Sequence, residues 1–547
     1  MTGTTVRCAR RPVQSRAAGS SGYPRRLRRR AFLLIVVLVV VSLLTLSTLT
    51  FTEMMIARRE SVDLIERRDQ AMALAESGVA VVNWFLLQDE AMRNESGGVY
   101  NNPDLFQAQP VLLGQSPTHG GNFTIVAPAF DESGQFAGQR YGLQDESARL
   151  NLNAVLLADS VVENGARTLL MGLPGMTEEV ADAILDWIDP DDEPREFGAE
   201  SDYYEQLTPP YAAKNGPLAT IGELLLVRGV TPQLLYGLDT NRNGMVDSHE
   251  LAQPTGIAST DPSASGASTG VDGDPNSAIG WAAYLTLYSQ EANQNREGFG
   301  RIYLNQEDME QLHQELSEVL PADWVTFIVA YRQNGPYTGN EPGELNVSAE
   351  LDLSRPGETP LTQVLELIGA KVQIEIDGNE QVIASPFVED PAAMALYLPT
   401  LMDNVTVNPS VTIPGRININ QAPRTILLGI PGMTEEIVDQ IIQERIADPA
   451  EAGEDPNRRH ETWILVEGIV TLEEMKLLAP LICAGGSVFR AQIVGYFEDG
   501  SAAARVEVVF DTMNSQPMLC WKDLTHLGRG YPLDVLGVQW SAAAPAP

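Results

Sequence analysis

The residues best suited to chemistry form one oxygen-rich stretch, DTNRNGMVDSHE, from Asp239 to Glu250. Its spacing fits the calcium loop of an EF-hand, in which oxygen ligands recur and a glycine, here Gly244, allows a sharp bend. The predicted ligands are Asp239, Asn241, Asn243, the main-chain carbonyl of Met245, Asp247 and the bidentate carboxylate of Glu250. The alternative is a solvated turn rich in Asp and Asn. Because only three of the side chains are acidic, we expect calcium to have a structural rather than a sensing role.

A second acidic run lies upstream of this loop. It contains Asp186, Asp189, Asp191, Asp192, Glu193, Glu200 and Asp202. The run could hold a second calcium ion, because calcium takes carboxylate oxygens as ligands. The alternative is a solvated acidic surface.

Signatures of catalysis are missing from the sequence. The five histidines, at positions 119, 249, 313, 460 and 526, lack the spacing of a zinc site or a metalloprotease. The GASTG run at 266–270 has the Gly-x-Ser-x-Gly pattern of hydrolases, but it lacks the strand-turn-helix context that such a nucleophile needs. We therefore expect a protein that is not an enzyme.

Two similar segments, 169–188 and 427–446, read LLMGLPGMTEEVADAILDWI and LLGIPGMTEEIVDQIIQERI. Each has the outline of a helix-hairpin-helix, whose glycine turn lets backbone N–H groups approach a nucleic-acid phosphate. The turn residues are Gly172, Pro174 and Gly175 in the first copy and Gly429, Pro431 and Gly432 in the second.

The charge around these turns argues against a nucleic-acid partner. Residues 177–205 contain twelve acidic residues and one basic residue, and residues 434–455 contain eight and one. Nine of the 36 basic residues are arginines within residues 1–30, so the rest of the chain has 27 basic and 73 acidic groups, a net charge of −46. Since backbone affinity depends on neutralising phosphates, this surface should repel nucleic acid. We expect the turns to serve packing and subunit contacts.

One segment is apolar enough to cross a membrane. Residues 31–52 give 22 positions without a charge, about 33 Å of helix at roughly 1.5 Å per residue. The five arginines among residues 25–30 should stay cytoplasmic, which places the acidic body in the periplasm. No proline interrupts residues 31–87, so the helix should continue beyond the membrane. The alternative is a cleaved secretory signal.

The remaining pattern predicts strands, repeated blocks and one cysteine pair. Residues 121–152 and the end of the chain read as antiparallel strands, and strand-like runs such as DWVTFIVAYR and AKVQIEID lie within residues 323–386. GRININQA echoes ARLNLNAV, and WILVEGIVT echoes ELLLVRGVT, which indicates an internal duplication. Cys483 and Cys520 could form one disulfide or remain two free buried thiols.

The leader and the long helix resemble those of type IV prepilins and pseudopilins, because a short basic leader precedes Phe32 at the head of an apolar helix. This resemblance implies that a prepilin peptidase cuts between Ala31 and Phe32, and that the helix packs into a filament core. The chain departs from the pattern at Ala31, where the family usually has glycine, and at Val36, where most pilins have glutamate. One pseudopilin type, protein K of type II secretion, typically lacks that glutamate.

Residues 149–235 closely resemble the helical domain of the protein K family. The resemblance rests on RLNLNA, GLPGM, DWIDPDDEPREFGAESDYY and KNGPLATIGELLLVRGVT, in that order. It implies a minor pseudopilin at the tip of the pseudopilus, which starts or caps assembly for protein export across the outer membrane. Implied partners are the I- and J-type minor pseudopilins, the prepilin peptidase, the inner membrane, and the secretin or exported proteins.

Two other functions remain open at this point. Paired hairpins are also found in membrane-tethered DNA receptors, and the leader would suit a minor pilin of a related type IV filament.

The expected fold class is α+β, with a long pilin-like helix and a β scaffold interrupted by two helical hairpin modules. The predicted segments are a basic cytoplasmic leader (1–31), a transmembrane and pilin-like helix (32–90), a pilin-like β segment (91–150), a first hairpin module with the EF-hand-like loop (151–252), a flexible linker (253–280), a mixed helix and strand region (281–414), a second hairpin module (415–480) and a C-terminal β segment (481–547).

Overall fold

A computed structural model describes residues 27–114, 120–247, 250, 279–344, 351–376, 379–452, 455–514 and 517–538. Most of the predicted leader and of the predicted linker lie outside these residues. The chain divides into two compact units, residues 1–67 and 68–547. Its long apolar helix and β-sheets confirm the predicted α+β class.

The described helices and strands are numbered here in chain order. The α-helices are α1 (Leu27–Leu86), α2 (Glu90–Glu95), α3 (Pro103–Phe106), α4 (Gly165–Met171), α5 (Glu178–Ile188), α6 (Ser201–Tyr204), α7 (Pro232–Tyr236), α8 (Met309–Val319), α9 (Ala322–Asn334), α10 (Pro391–Asn404), α11 (Arg424–Gly429), α12 (Glu435–Glu444), α13 (Trp463–Val466) and α14 (Leu472–Leu478). The strands are β1 (Gln109–Leu112), β2 (Gly121–Phe130), β3 (Phe136–Arg140), β4 (Gln144–Asp145), β5 (Leu150–Asn151), β6 (Leu285–Thr286), β7 (Gln290–Ala292), β8 (Ile302–Tyr303), β9 (Lys371–Ile376), β10 (Asn379–Ala384), β11 (Val405–Thr406), β12 (Thr412–Pro414), β13 (Ile417–Asn418), β14 (Ile482–Cys483), β15 (Val488–Phe497), β16 (Ala503–Asp511) and β17 (Met518–Asp523).

The described part of the first unit is residues 27–67 of α1, which contain its apolar stretch. From Phe32 onward the helix is long and apolar enough to cross a membrane, and its Leu, Ile, Val and Phe side chains are exposed. Its few hydroxyl groups bond back to carbonyls of the preceding turn, such as Ser42 Oγ to Leu38 O at 2.8 Å and Thr52 Oγ1 to Thr48 O at 2.8 Å. These bonds satisfy polar side chains without water, as a hydrocarbon environment requires.

In the second unit, the end of α1 packs against the main sheet through small residues. A Cβ at Gly78 would lie 2.6 Å from the Ile493 side chain, and a Cβ at Gly495 would lie 2.3 Å from the main-chain oxygen of Ala71. Glycine on both sides therefore allows the helix and strand backbones to approach closely. Phe85 and Phe106 close this core with an edge-to-face contact, their ring centroids 5.5 Å apart.

The main sheet combines strands from both ends of the second unit. It has seven strands in the order β1-β2-β15-β16-β17, with β3 beside β2 and β4 beside β15. β15 lies antiparallel to both β2 and β16. The turn between β15 and β16 contains Gly500 with a positive φ of 71°, a conformation that suits glycine in a tight hairpin. The helical modules are thus an insertion between β4 and β15.

The two helical modules repeat one arrangement. In the first, β5 runs parallel to β6, with Leu150 opposite Leu285, and α4 and α5 form the hairpin. In the second, β13 runs parallel to β14, with Ile417 opposite Ile482, and α11 and α12 form the hairpin. The repeated sequence blocks therefore occupy equivalent places.

A buried turn, residues 144–149, connects the sheet to both modules. Glu146 accepts two hydrogen bonds from the Arg490 guanidinium on β15, at 2.5 and 3.0 Å. Asp145 accepts from the Asn418 amide of the second module at 2.8 Å and from the Gly486 N–H at 2.8 Å. Burial opposes ionisation of Glu146, but the Arg490 charge holds its pKa below the ordinary value. Burial raises the pKa of Asp145.

One predicted element in the middle region is wrong. The run DWVTFIVAYR belongs to α9, not to a strand, whereas AKVQIEID forms β9 as predicted. Almost every residue of α9 from Val325 to Gln333 is buried. A helix buried around its circumference lacks the amphipathic period, so its sequence resembles a short apolar strand.

The disulfide alternative is also wrong, because both described cysteines are free. Cys483 lies on β14 and pairs in register with Asn418 of the second module, whereas Cys520 lies on β17 at the sheet edge. Cys483 and Cys520 are therefore two separate free thiols.

Both hairpin helices begin after a threonine that caps the first turn. Thr177 caps α5 by accepting a bond from the Val180 N–H, and Thr434 caps α12 in the same way with Ile437. Two glutamates in the first turn of each helix are favourable near the positive end of its dipole. Gly175 has a φ of 66° and Gly432 a φ of 89°, so each turn needs glycine.

The two glycine turns contact each other at their first glycines, Gly172 and Gly429, whereas their second glycines, Gly175 and Gly432, are exposed. A Cβ at Gly172 would lie 2.6 Å from the Gly429 Cα, and a Cβ at Gly429 would lie 2.9 Å from the Leu169 oxygen and 3.2 Å from the Gly172 Cα. Each turn is therefore packed against the other copy at its first glycine. They join the two modules.

We expect Gly172→Ala to lower the free energy of unfolding by about 1–3 kcal/mol, because the added methyl group overlaps the Gly429 backbone. Chemical denaturation of the full chain in detergent measures the change. Gly485→Ala is the matched control: its Cβ would meet nothing within 4 Å, so we expect a change under about 0.5 kcal/mol. Equal effects at the two positions would show that the turns do not pack together.

Candidate metal centre and calcium-type loop

The candidate metal centre begins on α5. Asp182, Asp186 and Asp189 follow one another at helical spacing, so their side chains lie on one face of α5 and at its C-cap. All three are buried. Asp182 is fully paired, because the Arg167 guanidinium of α4 donates to both of its oxygens at 2.7 Å. Asp186 and Asp189 are left to form the centre.

The centre is completed by Glu200, from the segment after α5. Oxygens of Asp186, Asp189 and Glu200 lie within 4.8 Å of one another, and all three residues are buried. In the part of the chain that the structure describes, this is the one group of three or more potential metal-binding side chains that converges in this way. Asp189 Oδ1 and both Glu200 carboxylate oxygens have no hydrogen-bond partner.

Arg195 partly neutralises the negative charge of these carboxylates. Arg195 Nη1 lies 3.1 Å from Asp186 Oδ1 and 2.5 Å from Asp189 Oδ2. Three ionised carboxylates and one guanidinium still leave an excess of two negative charges in a buried place. Burial, followed by the charges of Asp186 and Asp189, raises the pKa of Glu200 to about 7. Burial likewise raises the pKa of Asp186 and of Asp189.

The donor set fits a calcium ion. Calcium binds six to eight oxygens, and carboxylates are its strongest protein ligands. A divalent cation would balance the two excess charges and give partners to the unbonded oxygens of Asp189 and Glu200. Gly198 makes room for the Asp186 carboxylate because it has no side chain. A Cβ at this position would lie only 1.7 Å from Asp186 Oδ2.

The other acidic residues predicted for this site do not converge. Asp191, Asp192, Glu193 and Asp202 are exposed. Asp192 accepts a bond from the Asn215 amide at 2.7 Å, on the surface. These four residues therefore form a solvated acidic surface, and only the three buried carboxylates are candidates to bind a metal ion.

The calcium-type loop is folded around its own polar side chains. Asp239 is buried and accepts from the N–H groups of Asn243 at 3.0 Å and Gly244 at 2.8 Å. Burial raises the pKa of Asp239 to about 6. Gly244 has a φ of 81°, which provides the bend expected at this position of the loop. Met245 donates its N–H to Asn243 Oδ1 at 2.9 Å.

The remaining predicted ligands also point into the loop. Asp247 Oδ2 accepts from the amides of Asn241 at 2.7 Å and Asn243 at 3.1 Å. Glu250 accepts from the N–H groups of Asn241 at 3.1 Å and Asp247 at 2.9 Å. Asn241 Oδ1 is buried without a partner, so one oxygen ligand remains free. These acidic side chains are farther apart than those of the first centre.

The predicted processing site lies at the start of α1. Phe32 is 70% exposed and Val36 is 41% exposed, so both side chains are accessible on the first unit. The Ala31 side chain lies outside the described residues.

Three residues that shape the metal centre were not identified from the sequence. Arg167, Arg195 and Gly198 pair with or make room for its carboxylates. A signal existed for Arg195, which is the single base in an otherwise acidic run. No local signal marks Arg167, because its pairing with Asp182 depends on how α4 and α5 pack.

Comparison with known proteins places this region in a family. Residues 148–239 match the family profile described as type II secretion system (T2SS), protein K. The chain is 42% identical over 64 residues to a putative type II secretion system protein K of Escherichia coli strain K12, covering 12% of this chain and 20% of the relative. It is 46% identical over 57 residues to type II secretion system protein K of Aeromonas hydrophila, covering 10% and 17%.

The aligned parts span about a fifth of these curated relatives. Among solved structures, the GspK-GspI-GspJ complex from enterotoxigenic Escherichia coli contains a chain that is similar at 12% identity with a TM-score of 0.34, over 85% of this chain and 98% of that one.

The matched residues 148–239 contain the buried carboxylates of the candidate metal centre and the first residue of the calcium-type loop. These residues match the protein K family of type II secretion, and over this region the resemblance found in the sequence is confirmed.

Proposed function

We propose that this protein is a minor pseudopilin of a type II secretion system, which sits at the tip of the pseudopilus and starts or caps its assembly for protein export across the outer membrane. The observation that carries the proposal is the protein K match over residues 148–239 in a chain that begins with one helix long enough to span a membrane.

In this proposal the protein is a single-pass inner-membrane subunit. The arginine-rich leader stays in the cytoplasm, because basic flanks are retained on that side, and the acidic body lies in the periplasm. A prepilin peptidase removes the leader between Ala31 and Phe32. The protein acts by assembly rather than catalysis.

The partners are the I- and J-type minor pseudopilins, which pack beside α1. Trp84 near the end of α1 and Leu87 just after it are exposed apolar residues of the second unit. Val36 stands where other pilins carry the glutamate that pairs with the N-terminal amine of an earlier subunit, and a first subunit has no earlier neighbour. The large body then contacts the secretin or exported proteins.

The rival function is a membrane-tethered DNA receptor. Such a receptor needs positive charge around its glycine turns, but the sequence that surrounds both turns is acidic. A minor pilin of a related filament would share the helix but would assemble with other subunits.

The proposal is tested with the full chain in detergent and the I- and J-type subunits of the same organism. We expect a stoichiometric complex by size exclusion with light scattering. Trp84→Glu should weaken it by roughly tenfold or more, because charging a buried aromatic anchor is costly at an interface. Leu396→Glu, a substitution of an even more exposed apolar residue on α10, should leave affinity unchanged.

Absence of that complex, together with salt-sensitive retention of DNA by the protein on a filter, would instead support the receptor. Assembly with pilins of another filament in place of the I- and J-type subunits would support the minor pilin.

Calcium is the second part of the proposal. The centre formed by Asp186, Asp189 and Glu200 holds one ion, and the loop from Asp239 to Glu250 holds another. When bound, calcium supplies a positive charge that fixes these carboxylates, so its role is structural.

We expect calcium to raise the free energy of unfolding, by about 2.7 kcal/mol per site at a hundredfold excess over Kd. Calorimetric titration should count two ions in the native chain and one each in Glu200→Gln and Asp239→Ala. Because bound calcium competes with protons, affinity at the first centre should fall as pH drops below about 7, the pKa of Glu200.

Glu193→Gln is the control for these variants, since that side chain is acidic, nearby in sequence and exposed. It should keep both ions. If the native chain shows no calcium-dependent gain in stability, or if both variants bind as many ions as the native chain, the calcium part of the proposal is wrong.

A further inference from the structure

A cavity of about 260 Å³ lies between the main sheet and the calcium-type loop. The sheet side contributes Arg490, Glu507 and Lys522, and the buried turn contributes Arg149. The loop side contributes Asp239 and Arg242. The cavity is separate from the centre formed by Asp186, Asp189 and Glu200, none of which lines it.

The lining is cationic in a strongly acidic molecule. Four of the 27 basic residues outside the leader line this one cavity, against two acidic residues. A net charge of −46 over the same part of the chain makes such a concentration of positive charge unusual for its surroundings. The cavity therefore favours a ligand of negative charge.

Two of these basic residues, Arg490 and Lys522, already form ion pairs with carboxylates. Arg490 bonds to Glu146 at 2.5 Å and to Glu507 at 2.9 Å. Lys522 lies 3.1 Å from the same Glu507 oxygen. Because Glu146 and Glu507 are paired with Arg490 and Lys522, they neutralise little of the charge on the other two basic residues.

Arg149 is a buried cation of the lining that forms no ion pair with a described carboxylate. Its side chain donates to the neutral amide oxygen of Gln144 at 2.5 Å, and its Nε is buried with no hydrogen-bond partner. The residue is 7% exposed and lines the cavity. Burial, followed by the charge of Arg490, lowers the pKa of Arg149 to about 10. A buried guanidinium that lines a cavity and keeps a donor without an acceptor is an incomplete anion site.

We propose that this cavity binds a small oxyanion, a carboxylate or a phosphate, beside the guanidinium of Arg149. The planar guanidinium fork matches two oxygens of either group, and both can supply the acceptor that Nε lacks. Arg242 on the loop side attracts the ligand at the cavity wall. The volume admits a small ion or a short dicarboxylate and is below that of a typical drug-sized pocket. The inference does not rest on the proposed secretion function.

The test uses the full chain in detergent, dialysed into calcium-free buffer, and titrated calorimetrically with sodium phosphate or sodium succinate. Sodium chloride at the same ionic strength gives the non-specific background. We expect saturable binding of at least one probe above that background, and the preferred probe identifies the phosphate or the carboxylate as ligand. Binding of neither probe beyond chloride would overturn the proposal.

Variants locate the site. Arg149→Met should weaken binding at least tenfold, and Arg242→Met, which changes a more exposed residue of the wall, should weaken it severalfold. Arg355→Met removes an exposed arginine that does not line the cavity and should bind as the native chain does. If Arg149→Met does not fold, Arg242→Met decides, and native affinity in that variant would overturn the proposal.

Discussion

The ion pair between Glu146 and Arg490 is the interaction on which the body of the molecule depends. Both groups are almost fully buried, so removing one would leave the other as an uncompensated charge, a loss of about 3–5 kcal/mol. The pair fixes the turn from which the first module departs, while the adjacent Asp145 holds the second module through Asn418. One buried turn therefore sets how a sheet built on α1 carries two helical modules inserted into it.

The hairpin motif shows how the same local sequence can serve different purposes. Its glycine turns could approach a phosphate, yet here Gly172 and Gly429 bring two copies of the motif into contact within one chain. The acidic helices that follow are then free to carry carboxylates, and in the first copy these become the centre of Asp186, Asp189 and Glu200. Electrostatics, rather than the motif's outline, decides between nucleic acid and a cation as ligand.

Local patterns predicted the features that depend on sequence neighbours. The apolar helix, the glycine turns and the β15–β16 hairpin follow from composition, backbone freedom and alternation. Features that depend on distant packing were not predictable in this way: α9 was mistaken for a strand because burial on every side removes its period. The same limit explains why seven acidic residues could not be sorted into three that converge and four that are solvated, and why the cavity beside Arg149 left no trace in the sequence.

The central claim is that a prepilin-type helix anchors this body in the inner membrane and brings it into a secretion pseudopilus. N-terminal sequencing of the protein extracted from membranes of cells with an active prepilin peptidase tests that claim most directly. The account predicts a mature chain that starts at Phe32, with the arginine-rich leader removed. A chain that retains the leader in the membrane, or one released from the membrane by cleavage after the apolar segment, would contradict it.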